Sequence, residues 1–350
     1  MKAPPPILAI ETSCDDTAAA VWAEGRLASS VVASQRAHED WGGVVPEIAS
    51  REHQRLIVPT VQAALHDAGV PLAEVGAVAV TYGPGLAGAL LVGLSAAKGL
   101  ALGLGVPLIG VNHLEGHVYS VFVDRPHPRF PFLCLTVSGG HTLLTLVREG
   151  FRHEEIGRTR DDAAGEAFDK VARLLGLGYP GGPHVDRLAA TGDPTFLALA
   201  SPRITSAKAR SLADFSFSGI KTAVRYALEA APPSSGTSPE AERAAWLEAH
   251  RADVCASFQR TVVDALVGAV QDAVAQTGVR DVAIVGGVSA NRGLRAAARE
   301  ASGAGGWRLH VPALEHSVDN AAMIAVTASF KWKAGETSPL SLTAAPSLAL

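Results

Sequence analysis

One pattern occurs twice in this 350-residue chain: an apolar run, a short polar turn and a second apolar run. The first copy spans residues 7–23 around E-T-S-C-D-D-T, and the second spans 132–147 around S-G-G-H-T, about 125 residues later. Such runs on either side of a turn predict strand–turn–strand units. Alternating helical and strand-like segments follow each unit, which is typical of a largely parallel sheet covered by helices. The duplication therefore predicts an α/β chain with two related lobes enclosing a cleft.

Length and composition agree with a folded protein of two domains. The chain is 48% hydrophobic and 18% charged, and its length allows a large core. Its net charge of −4 gives no global attraction to nucleic acid, so a polyanionic partner must meet a local basic face. The three cysteines have no close spacing, which disfavours a zinc ribbon or a disulfide framework.

Neither apolar candidate for a membrane or secretion signal is convincing. The first apolar run is too short for a signal peptide. Residues 86–104 are long and apolar enough to raise the question of a membrane span, but they contain Lys98 and several glycines between two strand-like runs. A buried α/β helix fits this stretch better, and we expect a cytoplasmic protein.

The motif V-N-H-L-E-G-H at 111–117 predicts a metal site. It follows an apolar run that predicts a strand, and it leads into a helix. Residues four apart share one face of a helix, so His113 and His117 can offer two imidazoles to one ion. Glu115 lies about 200° round the helix from His113 and points away. This position argues against the H-E-x-x-H metalloprotease arrangement, in which the glutamate is the general base.

The third metal ligand must come from elsewhere in the chain. The motif E-H-S-V-D-N-A-A-M-I at 315–324 begins the last long predicted helix. It supplies three candidates, Glu315, His316 and Asp319, and their spacing does not choose among them.

Several polar motifs in the second half are candidates for ligand binding. Gly139 and Gly140 in the S-G-G turn allow a positive φ angle and close approach of the backbone to a ligand. Asp169 and Asp186 flank Y-P-G-G-P and suit ribose hydroxyls, although they are equally explained as helix-surface charges. Asn291 follows two glycines at the end of a predicted strand, where open α/β sheets bind ligands. Its side chain could cap the next helix, bind a ligand, or do both.

Eight motifs in this order resemble the bacterial branch of the universal tRNA threonylcarbamoyladenosine family. They are I-E-T-S-C-D-D-T, N-H-L-E-G-H, V-S-G-G-H-T, D-D-A-A-G-E-A-F-D-K, Y-P-G-G-P, F-S-F-S-G-I-K, G-G-V-S-A-N-R and S-V-D-N-A-A-M-I-A. The resemblance implies the two-lobed actin/hexokinase/Hsp70-like (ASKHA) fold, with duplicated ribonuclease-H-like lobes. The expected domains are an N-terminal lobe at 1–131 completed by a helix at 319–335, a C-terminal lobe at 132–318, and a tail at 336–350.

The resemblance also implies an activity. Family members transfer the threonylcarbamoyl group from threonylcarbamoyl-AMP to N6 of the adenosine 3′ of the anticodon, in tRNAs reading ANN codons. By position, His113, His117 and Asp319 would bind one divalent metal, with Fe²⁺ favoured and Zn²⁺ the alternative. Asp15 is a candidate for proton removal or transition-state support. The residues that would contact the adenylate are Thr136, Val137, Ser138, Gly139, Gly140, Asp169, Gly182, Asp186 and Asn291.

Partners follow from the same resemblance. They are tRNA, the smaller inactive paralogue TsaB, the ATPase TsaE and the threonylcarbamoyl-AMP synthase. Helices at 46–68 and 86–104, with their apolar and small-residue faces, are the candidates for the TsaB interface. Two features depart from the family pattern: Thr136 stands where an apolar residue is common, and the stretch 230–250 is longer than usual.

Three rival functions are weighed against this one. A zinc endopeptidase is what H-x-x-x-H invites by itself, but it lacks a glutamate on the histidine face. A small-molecule kinase of the same fold would need a substrate-aligning base and no metal held by histidine. An ATP-binding scaffold subunit would lose nothing when His113 is replaced.

Overall fold

The computed structural model describes residues 5–350 apart from 36, 37, 39, 40, 42, 205–210, 212 and 230–238. The low-complexity loop predicted at 230–239 lies almost entirely outside the described residues. The chain divides into two compact units. The first unit is formed by Met1–His127 with Pro312–Leu350, and the second by Pro128–Val311. Residues 128–131 therefore belong to the second unit, although the sequence placed them in the N-terminal lobe. Residues 312–318 belong to the first unit, although the sequence placed them in the C-terminal lobe.

The strands and helices alternate along most of the chain. The strands are β1 (Ile7–Glu11), β2 (Asp16–Ala23), β3 (Arg26–Ser34), β4 (Ala77–Gly83), β5 (Leu108–Asn112), β6 (Phe132–Val137), β7 (Thr142–Arg148), β8 (Arg152–Arg158), β9 (Asp281–Val285) and β10 (Arg308–His310). The helices are α1 (Pro46–Ala68), α2 (Ala87–Leu104), α3 (His113–Tyr119), α4 (Ala164–Leu174), α5 (Gly181–Ala189), α6 (Ser218–Glu229), α7 (Pro239–Thr277), α8 (Arg292–Gly305), α9 (Leu314–Ser317) and α10 (Ala321–Lys333).

The two units contain sheets of the same topology. The first sheet has the order β3-β2-β1-β4-β5, and the second has the order β8-β7-β6-β9-β10. In each, the first three strands are antiparallel and the last two run parallel to the first strand. The predicted strand–turn–strand units are β1–β2 and β6–β7, so the internal duplication is confirmed. The third strand of each sheet was not predicted.

The central strands and one helix form the core of the first unit. All residues of β1 and β5 are buried, as expected for central or covered strands. Helix α10 is buried all round from Ala321 to Ser329 and packs on β1 and β2. A helix that is apolar on every side is stable only inside a core, so the last long helix of the chain completes the first unit.

Helix α2 is a core helix with one open face. By length and composition it is the one described helix that could cross a membrane. The face containing Ala89, Gly93 and Ala97 is buried against β4 and α1, whereas Leu91 and Leu102 on the other face are exposed. The small residues predicted to allow close approach therefore face the core of the unit itself.

Two glycines of α2 should respond to alanine in opposite directions. A Cβ at Gly93 would lie 2.2 Å from Oγ1 of the buried Thr12, whereas nothing lies within 4 Å of a Cβ at Gly99. We expect Gly93→Ala to lower the free energy of unfolding by about 1–3 kcal/mol through overpacking. Gly99→Ala should raise it by up to about 1 kcal/mol, because alanine loses less backbone entropy in a helix. Urea unfolding of both variants measures the two free energies of unfolding. Equal changes in the two variants would contradict the close contact between Gly93 and Thr12.

Residues 336–350, predicted as a tail, lie in the first unit. The backbone N–H of Ser338 donates to the Leu108 carbonyl at 2.7 Å, and that of Ala345 donates to the Tyr82 carbonyl at 2.7 Å. The side chain of Leu342 packs against the core of this unit. This segment therefore runs beside β5, which is an edge strand of the first sheet.

Candidate metal centre and nucleotide-binding turn

The two predicted histidines lie together in α3, directly after β5. Asn112 caps the helix, because its side chain accepts a hydrogen bond from the Leu114 N–H at 2.8 Å. His113 is 7% exposed and His117 is fully buried. Their ring centroids are 4.6 Å apart with an interplanar angle of 81°. The spacing of four residues thus places both imidazoles on one buried face.

Asp319 joins this pair because α10 packs closely on α3. Gly116 lies at the contact, where a Cβ would be 2.9 Å from Cδ1 of Ile324. Oδ1 of Asp319 is 3.2 Å from Nε2 of His117 and 3.6 Å from Nε2 of His113. The three ligand atoms lie within 4.8 Å of one another.

The other two candidates for the third ligand are placed elsewhere. Nδ1 of His316 lies 2.9 Å from Oδ2 of Asp124, in a separate ion pair. Glu315 is exposed in α9. Among the described residues, the group that could hold a metal ion is therefore His113, His117 and Asp319.

The cluster fits a divalent cation on two observations. Both ring nitrogens of His117 are buried, and neither has a hydrogen-bond partner among the described residues. An orphaned buried nitrogen costs about 1–3 kcal/mol, and a metal ion would remove that cost for the ligating nitrogen. Ligands about 2.1 Å from one ion lie roughly 3.0–3.4 Å apart in octahedral or tetrahedral geometry, close to the separations from Asp319.

Glu11 contacts His113 on the side of the ring opposite Asp319, and it was not identified from the sequence. Its Oε2 is 3.4 Å from Nδ1 of His113, so Nε2 of that ring faces Asp319. The Glu11 carboxylate is fully buried and also accepts hydrogen bonds from the hydroxyl of Thr81 and the N–H of Ser13. A carboxylate behind a ligating imidazole orients the ring and raises its basicity. The available signal was a charged residue at the end of an otherwise apolar strand.

The two carboxylates create a strongly negative buried site. Burial alone would lower the pKa of His113, but the negative charges of Asp319 and Glu11 raise it to about 9. Burial would raise the pKa of Glu11, but the charge and hydrogen bond of His113 lower it below its usual value. The site thus favours positive charge at its centre, which a divalent cation would supply.

Glu115 points away from the cluster, as predicted. Its carboxylate forms an ion pair with Nζ of Lys331 on α10 at 3.0 Å, and both side chains are largely buried. Glu115 therefore ties α3 to α10 and is unavailable as the general base of a peptidase.

Asp15 and Asp16 lie where the β1–β2 turn enters β2. Asp15 is half-buried in the turn, and Asp16 is the first residue of β2 opposite Ser34. Burial raises the pKa of Asp16 from 3.8 to about 6; a hydrogen bond from Ser34 opposes the rise, and the charge of Asp319 adds to it. Ionisation of Asp16 therefore lowers the free energy of unfolding of the protein.

Asp16→Asn should stabilise the metal-free protein above pH 6. Because the folded pKa is raised, the contribution of Asp16 to stability is full below about pH 3.8 and is lost as the pH rises through 6. The variant lacks this loss, so its advantage should grow from near zero at about pH 3.5 to about 1–3 kcal/mol at pH 6 and stay level above that pH. Thermal unfolding after treatment with a chelator, at several pH values, measures it. A constant advantage across that range would contradict the raised pKa.

The nucleotide candidates are connected by a series of contacts in the second unit. The Ser138 carbonyl accepts the N–H of Gly165 at the start of α4. Oδ1 of Asp169, also on α4, accepts the N–H of Gly181 at the start of α5 at 2.8 Å. Asp186 on α5 accepts from the N–H and side chain of Arg292 at the start of α8. The structure thus brings these helix starts together.

The carboxyl ends of β6 and β9 lie next to each other in the same unit. Gly286 follows β9 with a φ of +87°, and a Cβ there would lie 2.5 Å from the Val137 carbonyl at the end of β6. Asn291 caps α8 through the Leu294 N–H and donates to Oε1 of Gln259 at 2.7 Å. Thr136, Val137, Ser138, Gly139 and Gly140 therefore lie at the carboxyl end of β6, beside the turn after β9, where open α/β sheets bind ligands. Asp169, Gly182 and Asp186 lie on the helices that these contacts connect, and Asn291 directly precedes α8.

Several of these side chains are already engaged. Thr136 and Val137 are fully buried in β6, backbone included, so neither is exposed to a ligand. The carboxylate of Asp169 holds the start of α5, and that of Asp186 pairs with Arg292. Gly139 and Gly140 are exposed, but neither has the positive φ angle that the sequence allowed. No described atom lies within 4 Å of a Cβ at either glycine, so this turn is open to a ligand.

Comparison with known proteins decides the family. A family model described as TsaD: tRNA N6-adenosine threonylcarbamoyltransferase matches residues 26–326. The chain belongs to this family. A relative from Salinibacter ruber, named tRNA N6-adenosine threonylcarbamoyltransferase, is 54% identical over 98% of this chain and 99% of its own length. A relative of the same name from Symbiobacterium thermophilum is 52% identical over 98% of this chain and 96% of its own.

Solved structures support the fold of this TsaD-family chain. Full-length HypF in a phosphate- and nucleotide-bound form has a TM-score of 0.62 at 13% identity, over 96% of this chain and 56% of HypF. HypF from T. kodakarensis has a TM-score of 0.59 at 13% identity, over 95% of this chain and 49% of its own. With the duplicated sheets, these likenesses confirm the predicted actin/hexokinase/Hsp70-like fold class.

Proposed function

We propose that this chain transfers the threonylcarbamoyl group from threonylcarbamoyl-AMP to N6 of the adenosine 3′ of the anticodon, in tRNAs reading ANN codons. Relatives that are 43–54% identical carry the name of this transferase. The observation that supports the chemistry is the buried cluster of His113, His117 and Asp319 with the Glu11 carboxylate behind it. The function is expected in the cytoplasm, where tRNA is modified.

The cluster would hold one divalent metal, with Fe²⁺ favoured. Two imidazoles and one carboxylate that leave coordination positions open suit ferrous iron, and Zn²⁺ is the alternative. When bound, the metal supplies Lewis acidity toward the carbamoyl carbonyl or the phosphate of the donor. Asp319 is the most exposed of the three, at 27% for its side chain, which leaves its side of the cluster accessible.

The adenylate would bind at the carboxyl ends of β6 and β9. The exposed turn at Gly139 and Gly140 allows close approach of backbone N–H groups to a phosphate. Asp169 and Asp186 both accept donors from the protein, but each carboxylate oxygen has a second lone pair, which beside Gly182 would suit a ribose hydroxyl. Thr136 and Val137 would hold the turn in place from the end of β6, Ser138 would line the turn itself, and Asn291 would hold the start of α8 in place.

Positioning should provide most of the rate acceleration. The N6 lone pair of adenosine is delocalised into the ring, so this amine is a poor nucleophile and loses a proton only as the new bond forms. Asp15 in the β1–β2 turn is our candidate to accept that proton or to stabilise the charge that develops. Fixed donors around the carbonyl and the leaving AMP would stabilise the tetrahedral intermediate.

The exposed apolar face of α1 and α2 is proposed as the TsaB interface. Val58 on α1 and Leu91 and Leu102 on α2 are 60%, 54% and 70% exposed. Helices α1 and α2 pack against each other, and exposed large apolar side chains on neighbouring helices are typical of a protein interface. TsaE and the threonylcarbamoyl-AMP synthase are proposed as the further partners that make and renew the donor.

Reconstitution tests the proposed reaction. The chain is mixed with TsaB, TsaE, the synthase, threonine, bicarbonate, ATP and an unmodified tRNA reading an ANN codon, and the digested nucleosides are analysed by mass spectrometry. We expect N6-threonylcarbamoyladenosine, and none when this chain is omitted. If the relative from Salinibacter ruber forms the adduct under the same conditions and this chain does not, the proposal is wrong.

A further inference from the structure

Asn112 connects the metal-bearing helix to a distant segment of the chain. Its side-chain oxygen caps α3 through the Leu114 N–H, and its amide nitrogen donates to the Ala349 carbonyl at 2.7 Å. Asn112 is 6% exposed and its bond to Leu114 is buried, whereas the bond to Ala349, which is exposed, is partly buried. One side chain thus joins β5, α3 and residue 349.

Helix α3 depends on such contacts. It has seven residues, and helices this short are not stable by themselves in water. His113 is its first residue, so the direction of both imidazoles is determined by how the helix leaves β5. Because both polar atoms of the Asn112 side chain are bonded, the cap is held in one position, and this restricts the direction in which α3 leaves β5.

The segment that contains Ala349 is held at several points. The hydroxyl of Ser338 accepts the N–H of Gly110 at 3.0 Å, on the strand that precedes α3. The Ala345 N–H donates to the Tyr82 carbonyl, and the Pro346 carbonyl accepts the N–H of Gly85 at 3.1 Å. The Ala349 carbonyl is therefore presented to Asn112 by a segment fixed on β4 and β5.

We propose that Asn112 is a positioning residue of the metal centre, and that residues 346–349 act through it. The inference rests on the metal site of the proposed function. Contacts at Ser338 and Ala345 cover the edge of the sheet, whereas the bond from Asn112 to Ala349 reaches the cap of the ligand-bearing helix. Losing that bond should loosen the geometry of His113 and His117 without removing a ligand.

Two independent changes remove this bond. Asn112→Ser keeps a neutral side-chain oxygen that can cap α3, but its hydroxyl is one bond shorter than the amide NH₂ and falls short of the Ala349 carbonyl. A chain ending at Leu348 keeps the bonds of Ala345 to Tyr82 and of Pro346 to Gly85 and loses the Ala349 carbonyl. Ser338→Ala is the matched control, because it removes a contact of the same segment with β5 and leaves the cap of α3 intact.

Co²⁺ binding to the metal-free chain provides the measurement. The dissociation constant comes from a titration in competition with a chromophoric chelator, and the visible spectrum of bound Co²⁺ reports the coordination geometry. We expect Asn112→Ser and the shortened chain each to bind Co²⁺ about tenfold more weakly with an altered spectrum. The combined variant should be no weaker than either one, because both remove the same bond. Ser338→Ala should bind as the parent does.

Each other outcome has a distinct meaning. If both changes lower the melting temperature but leave the dissociation constant and the spectrum unchanged, the segment only supports the fold and the inference is wrong. If their effects add, Ala349 does not act through Asn112, which also overturns it. If the parent chain binds no Co²⁺, the metal site itself fails, and this result is separate from the previous two.

Discussion

Replacing His117 with alanine should abolish metal binding and tRNA modification together. His117 is fully buried, and its Nε2 faces Oδ1 of Asp319 without a hydrogen bond, so a bound ion would explain the placement of that nitrogen. The variant loses one of three ligands, and we expect the bound metal to fall from about one per chain to near zero. The rate of adduct formation should fall by at least about 100-fold. Metal analysis and the reconstituted reaction measure the two effects.

Glu115→Gln is the control for this experiment. Glu115 lies in the same short helix but on the opposite face, where it pairs with Lys331. This change should lower stability modestly and leave the metal content unchanged. Full metal content in His117→Ala, or an equal loss of metal in both variants, would contradict the assignment of the site.

Glu11→Gln should weaken metal binding by about 10–100-fold while all three ligands remain. The amide is nearly isosteric but carries no charge, so it no longer raises the basicity of the His113 imidazole. It also places an NH₂ group among the donors of Thr81 and Ser13, which should cost about 1–3 kcal/mol of folding free energy. Metal competition and thermal unfolding separate the two effects.

The second unit supplies a matched control. Asp281 also forms a buried pair with a histidine, at 2.8 Å from Nε2 of His310, and it pairs with Arg308 as well. Asp281→Asn should lower the stability of the second unit and leave the dissociation constant of the metal unchanged. If Glu11→Gln lowers stability but not metal affinity, Glu11 supports only the fold.

Local patterns in the sequence predicted much of this architecture. The apolar runs at β1, β2, β6 and β7 were identified because central strands are buried on both faces and carry apolar residues throughout. Strands β3 and β8 were missed because they are the outer strands of their sheets. Their sequences, R-L-A-S-S-V-V-A-S and R-H-E-E-I-G-R, are largely exposed and lack a clear alternation.

The sequence by itself determined that His113 and His117 share one helix face, because a separation of four residues is close to one helical turn. It left three candidates for the third ligand, and only the packing of α10 on Gly116 selected Asp319. The role of Glu11 was likewise decided by tertiary structure, since 102 positions separate it from His113. Short-range periodicity is encoded in neighbouring residues, whereas contacts over such separations depend on the path of the whole chain.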